Sequence, residues 1–142
     1  MPVVHNEILC RSHDNLQLFM RRWTPESQKP VAELVIIHGY AEHGGRYREF
    51  AHAMAAQGIQ VLAVDLRGHG HSDGIRGHCD AFEHFHEDVT ITLEQSNPEV
   101  PRFLLGHSHG GLVALDYVVS NLVIPPTSLS HNPDNASKVV VF

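Results

Sequence analysis

The sequence has only two cysteines in 142 residues, Cys10 and Cys79, and they do not form a close metal-binding or redox pair. A cytoplasmic protein with reduced thiols is therefore the expectation. Long hydrophobic runs are also missing. The longest, such as 34–37 and 112–115, fall far short of the roughly 20 residues that span a bilayer, so no transmembrane segment is expected. The opening MPVVHNEILCRSHD has no basic stretch leading into an apolar one, and no secretory signal is read there. Positive charge is scarce. Ten Lys and Arg against 16 Asp and Glu give a formal net charge of −6, which argues against nucleic acid or an anionic membrane as the main partner.

What is present is ordinary for one globular domain over residues 1–142: 42% hydrophobic and 18% charged residues. The 13 histidines are the compositional oddity. Protonating all of them would move the formal charge from −6 to +7, so behaviour should change markedly below about pH 6.

Residues 3–10 and 16–23 are extended runs separated by Arg11-Ser12-His13-Asp14-Asn15, which predicts an antiparallel hairpin. After a loop at 24–30 the pattern changes to alternating strands and helices. Strands are predicted at 34–37, 59–64 and 102–105. Helices are predicted at 46–57, closed by Gly58, at 82–94, ended by Asn97-Pro98, and at 111–121. The Gly- and His-rich stretch 66–80 reads as a long loop over the carboxyl ends of the strands. This alternation predicts an α/β fold, a doubly wound, mostly parallel sheet with helices on both faces and ligands gathered at those ends. The two most unusual segments, HGYAEHGG and GHSHGG, both fall there.

Gly106-His107-Ser108-His109-Gly110 fits G-x-S-x-G between a strand and a helix. On such a turn the serine is strained and its hydroxyl projects into the cleft. The flanking glycines remove Cβ atoms that would collide with neighbouring strand and helix. The following helix aims free N–H groups at developing negative charge. Ser108 is thus the candidate nucleophile, and a simple helix-capping serine is the plainer alternative. An acyl-transfer site also needs two oxyanion donors. The backbone N–H of His109 is one candidate, and that of Tyr40, in the loop after the earlier strand, is the other.

The segments HGYAEHGGRY, VLAVDLRGHGHSDG and FLLGHSHGG resemble the monoacylglycerol lipase and lysophospholipase branch of the α/β-hydrolases, the serine aminopeptidase S33-like family. Their order and spacing match over about residues 16–120. The resemblance implies a serine nucleophile at Ser108, oxyanion donors at Tyr40 and His109, and no metal or organic cofactor. It also implies a small-molecule ester or lipid substrate, such as a monoacylglycerol or lysophospholipid. His109 departs from the family, which more often has Met there. By resemblance, His38 and His43 belong to the oxyanion loop. His107 is expected to pack beside its strand as a structural histidine.

In this fold the acid and then the base follow the serine. Asp116 lies eight residues along the helix, roughly 12 Å of rise from Ser108, too far to join a triad. His131 and Asp134 remain, three residues apart in the stretch PPTSLSHNPDNAS. They lack the strands that normally separate acid from base. The resemblance fades after about Asn121, leaving 122–142 as a divergent tail. Its last five residues read either as one more parallel strand or, with SLSHNP, as part of a lid remnant. The lid and C-terminal strands of the family are therefore expected to be missing, with self-association through an exposed sheet edge. The functional alternative is a catalytically impaired remnant that acts as a binding or interaction module.

The histidines are weighed as metal ligands and set aside. His84 and His86 point about 200° apart on a helix and cannot chelate one ion. His69, His71 and His78 lie in a loop without a carboxylate–histidine pattern to complete a site. Asn135-Ala136-Ser137 matches a glycosylation acceptor, and without a secretory signal it is read as chance.

Overall fold

A computed structural model describes residues 2–123 and 138–141. Among these, β1 (Val3–Arg11), β2 (Gln17–Pro25), β3 (Ala32–Ile37), β4 (Ile59–Asp65), β5 (Arg102–Gly106) and β6 (Lys138–Val141) form one sheet in the order β1-β2-β4-β3-β5-β6. The hairpin β1–β2 is antiparallel, and β2 also meets β4 antiparallel. Strands β4, β3, β5 and β6 run parallel. The hairpin turns on Asn15, whose φ of 71° suits an asparagine and whose N–H reaches the Ser12 carbonyl at 3.0 Å.

The α/β sheet predicted from the alternation is present, covered on both faces by α1 (Arg48–Ala56), α2 (His84–Glu94) and α3 (His109–Val123). The period-2 alternation of the strands divides the core. Val35, Ile37, Leu62, Val64 and Leu104 pack with Phe85 and Val89 of α2 and Val113 and Ala114 of α3. Leu34, Ile36, Val61 and Ala63 face Ala51 and Ala55 of α1 instead. These strands are apolar on both faces because both faces are covered.

All three helix starts differ from the sequence reading by two residues, α2 beginning at His84 rather than at 82. The segment expected to be helical from 46 opens as a 3-10 turn at Gly44–Tyr47, with α1 following from Arg48. His43 causes this by capping the turn, its Nδ1 accepting from the Gly45 N–H at 3.1 Å. Helix α3 begins at His109, two residues earlier than expected, because the chain coils directly off the turn at Ser108. Gly58, at φ +90°, ends α1 as predicted. The tail residues 124–137, with His131, Asp134 and the acceptor-like Asn135, lie outside the described residues. No helix among the described residues is long and apolar enough to cross a membrane.

Asp65, fully buried at the end of β4, ties the surrounding loops together. Its Oδ1 accepts from Arg21 at 2.7 Å and from the Gly44 N–H at 2.8 Å, and its Oδ2 accepts from the His71 N–H at 3.0 Å. The loops that leave β3 and β4 are thereby fixed above the strand ends.

Candidate active site

The turn after β5 is built from contacts that only glycine permits. A Cβ on Gly110 would lie 2.1 Å from the Ile37 carbonyl oxygen and 2.3 Å from that of His38. A Cβ on Gly106 would lie 2.5 Å from both the Gly110 oxygen and the Gly111 Cα. Each collision is with backbone, which cannot swing aside. Gly110→Ala is therefore expected to lower stability by about 3 kcal/mol, the upper part of the usual overpacking range. Urea denaturation checks this, and an unchanged midpoint would contradict it. Between these glycines Ser108 sits at φ 54°, in the left-handed region that a residue with a Cβ adopts only under constraint. The His107 N–H donates to the Ile37 carbonyl at 3.1 Å, which docks the turn against the end of β3.

The loop leaving β3 meets this turn. Ala41 there has φ 59°, a second strained non-glycine residue. Glu42 folds back beneath the loop: its Oε1 accepts from the Gly39 N–H and from the Tyr47 hydroxyl, each at 2.6 Å. Burial pulls the Glu42 carboxyl upward, but hydrogen bonds from Tyr47, Gly39 and His107 outweigh it and hold the group below its ordinary value. His107 is thus not a packed structural histidine. Its side chain is 52% exposed, with Nδ1 3.4 Å from Glu42 Oε1. The chain has already left the sheet at residue 107, so no neighbouring strand covers the ring.

His109 follows Ser108 directly, and Tyr40 stands in the loop after β3. His109 opens α3, so its amide has no intrahelical carbonyl to bond. The Tyr40 amide is free of backbone hydrogen bonds among the described residues. Rings of Tyr40 and His109 approach edge-to-face at 6.1 Å between centroids, and His109 also stacks edge-on to Phe85 at 5.1 Å. With His69, Gly77, His78, Cys79 and Phe82 these residues line a cavity of about 280 Å³. A larger open groove, about 710 Å³, lies between the hairpin turn, α2 and α3, but takes no residue from either loop at Ser108. The smaller cavity is lined by the residue that follows Ser108, His109, and by Tyr40 of the β3 loop.

His38 is fully buried under the β3 loop. Its Nδ1 lies 2.7 Å from the Gly39 carbonyl, and its Nε2 accepts from the Leu66 N–H at 2.9 Å. A carbonyl on one side and an N–H on the other select the neutral ring with hydrogen on Nδ1. Burial above all lowers its pKa from 6.5 to about 4. The unfolded chain therefore takes up this proton first, so the contribution of His38 to stability is complete above pH 6.5 and declines as the pH falls towards 4. The loss is expected to reach about 3 kcal/mol. Denaturation midpoints between pH 7.5 and 4 should show this slope, and His38→Gln should flatten it.

No hydrogen bond among the described residues engages the Ser108 hydroxyl, and Asp116 is turned elsewhere, accepting from His86 Nε2 at 2.7 Å. His131 and Asp134 lie outside the described residues. Among the described residues no three His, Cys, Asp or Glu side chains come together to hold a metal ion.

A family model described as serine aminopeptidase, S33 matches residues 28–127. The monoglyceride lipase of Mus musculus is 38% identical over 139 residues, covering 91% of this chain and 45% of that protein. The monoacylglycerol lipase of Mycolicibacterium smegmatis is 42% identical over 98 residues, covering 67% of this chain and 35% of that one. Phospholipase YtpA of Bacillus subtilis is 39% identical over 97 residues, covering 68% and 38%. A thermostable carboxyl esterase from Bacillus coagulans superposes with a TM-score of 0.74 at 23% identity, over 96% of this chain and 43% of that one. This chain thus spans less than half the length of these relatives.

Proposed function

Because the chain belongs to the serine aminopeptidase S33 family, in its monoglyceride-lipase-like branch of the α/β-hydrolases, we propose that Ser108 is the nucleophile of a carboxylic ester hydrolase acting on a monoacylglycerol or lysophospholipid. The observation that carries this reading is the backbone of Ser108, a non-glycine residue at positive φ between two glycines that admit no Cβ. Strain of this kind persists where it presents a reactive group. In the proposed reaction Ser108 Oγ attacks the acyl carbonyl while a general base takes its proton. The N–H groups of Tyr40 and His109 receive the oxyanion, and the alcohol leaves with a proton from the protonated base. Water then attacks the acyl-enzyme and releases the fatty acid. No hydrogen bond among the described residues joins the Ser108 hydroxyl to a histidine, so none of these residues is assigned as the base. Glu42 has a positioning role, holding the loop that carries Tyr40.

Fatty-acid release from a short monoacylglycerol, compared with cleavage of an aminoacyl anilide, tests the substrate class. Hydrolysis of the ester and not of the anilide is expected. Preference for the anilide would overturn the ester reading. The unengaged Ser108 hydroxyl favours one second reading, a stranded nucleophile in a binding module. A chain that takes a covalent probe at Ser108 yet releases no fatty acid would establish it.

A further inference from the structure

Gly39 is held through both of its peptide bonds, each by a different side chain. The peptide before it is fixed by its N–H, which donates to Glu42 Oε1. The peptide after it carries the Tyr40 N–H and is fixed by its oxygen, the Gly39 carbonyl lying 2.7 Å from His38 Nδ1. That carbonyl can only accept, so the ring nitrogen facing it carries the hydrogen. On the far side of the ring, Nε2 accepts from the Leu66 N–H at 2.9 Å. A fully buried ring bonded at both nitrogens is held in one orientation.

A trans peptide is planar, and its N–H points opposite to its C=O. No peptide bond among the described residues is cis. Turning the Gly39 carbonyl towards His38 therefore sets the direction of the Tyr40 N–H, away from the ring. The same stretch is packed on the serine turn. A Cβ on Gly39 would lie 3.3 Å from the His107 carbonyl oxygen, and a Cβ on Gly110 would lie 2.3 Å from the His38 carbonyl oxygen. Residues 39 and 38 thus touch the chain just before and just after Ser108. The Tyr40 N–H has no backbone acceptor among the described residues to direct it, so its aim comes from the carbonyl behind it.

We propose that His38 is a positioning residue, whose ring, anchored on the Leu66 N–H, aims the Tyr40 N–H at the oxyanion formed when Ser108 attacks. The proposal rests on ester hydrolysis at Ser108 with Tyr40 as an oxyanion donor, and adds the side chain that sets the direction of that donor. Donors aimed in advance at developing charge act on the transition state, so their misalignment falls on kcat rather than on KM. Burial keeps the ring neutral and Nε2 free to accept, whereas an imidazolium would set a second N–H against that of Leu66.

Two variants divide the functions of the ring. Asparagine places an amide N–H where Nδ1 stands and nothing at Nε2, so His38→Asn keeps the bond to the Gly39 carbonyl. Glutamine places its amide oxygen where Nε2 stands, so His38→Gln keeps the bond from Leu66 and loses the aim. With a short monoacylglycerol, His38→Gln is expected to lower kcat by about tenfold at an unchanged KM, less than the roughly 10²–10³-fold cost of deleting a donor. His38→Asn should remain close to wild type in kcat. Fluorophosphonate labelling of Ser108 also develops charge on the oxygen facing the donors, so its rate should fall in the same order without a deacylation step. Urea midpoints should drop by similar amounts in both variants, since each loses one hydrogen bond. Rates that fall equally in the two variants, or further in His38→Asn, would overturn the positioning role. So would imidazole nitrogen shifts of the wild-type chain that place the hydrogen of neutral His38 on Nε2, a result that depends on no variant folding. A wild type that neither releases fatty acid nor takes the adduct would overturn the hydrolase reading and this proposal with it, and that failure shows before any variant is compared.

Discussion

Replacing Ser108 by alanine is expected to reduce ester turnover by on the order of 10⁴-fold or more while leaving the fold intact, since removing a nucleophile forfeits the covalent route altogether. The same position makes a second, opposite demand on stability. Ser108 holds φ at 54°, where a Cβ is unfavourable. Ser108→Gly should therefore be as inactive as the alanine variant but more stable than wild type by about 1 kcal/mol. Loss of activity joined to a gain in stability is the signature of strain retained for function. Ester turnover and urea midpoints for the three proteins check both parts. A glycine variant less stable than the alanine variant would show that the backbone at 108 is not strained.

The second large effect is expected at Arg67, which is 5% exposed and opens the loop over the strand ends. Its Nε and Nη2 donate to Asp88 Oδ1 at 3.0 and 2.8 Å, and its N–H donates to Oδ2 at 2.9 Å. The other side of the guanidinium grips Asp14 in the hairpin turn, with Nη1 2.6 Å from Oδ2. Its hydrogen bonds hold the Asp14 carboxyl below the usual carboxylate range. One side chain thus joins the hairpin to α2. Arg67→Ala would leave Asp88, fully buried, without its charged partner, and such a break costs about 3–5 kcal/mol. Asp14 is partly exposed, so Asp14→Asn should cost only about 1 kcal/mol. Arg67→Lys cannot span both carboxylates and should fall between. Pairing Arg67→Met with Asp88→Leu removes both charges and should recover most of the loss, because it leaves no orphaned ion. Denaturant midpoints order these variants. If Arg67→Ala fell no further than Asp14→Asn, the buried half of the clamp would carry no weight.

Legibility in the sequence followed the range of the interactions. The turn at Ser108 was readable because its requirement is local: glycines two residues either side of Ser108 meet backbone that any strand–turn–helix brings close. The alternating apolar runs of β3 and β4 were readable for the same reason. Partners distant in sequence were not. Nothing near His38 announces that its ring receives the Leu66 N–H, 28 residues away, and nothing near Arg67 points to Asp88. His107 was misplaced because strand periodicity was carried one residue beyond the point where the chain leaves the sheet. His109 was valued only for its backbone, although its side chain lines the cavity with His69. That role needs the loop after β4 to lie over the start of α3, which no local pattern specifies.

On the proposed reading Ser108 is presented as a reactive nucleophile. Treating the folded chain with a fluorophosphonate and locating the adduct by intact and peptide mass tests it most directly. One adduct per chain is expected, on Ser108 and absent from Ser108→Ala. A folded chain that takes no adduct, or takes it on another residue, would contradict it.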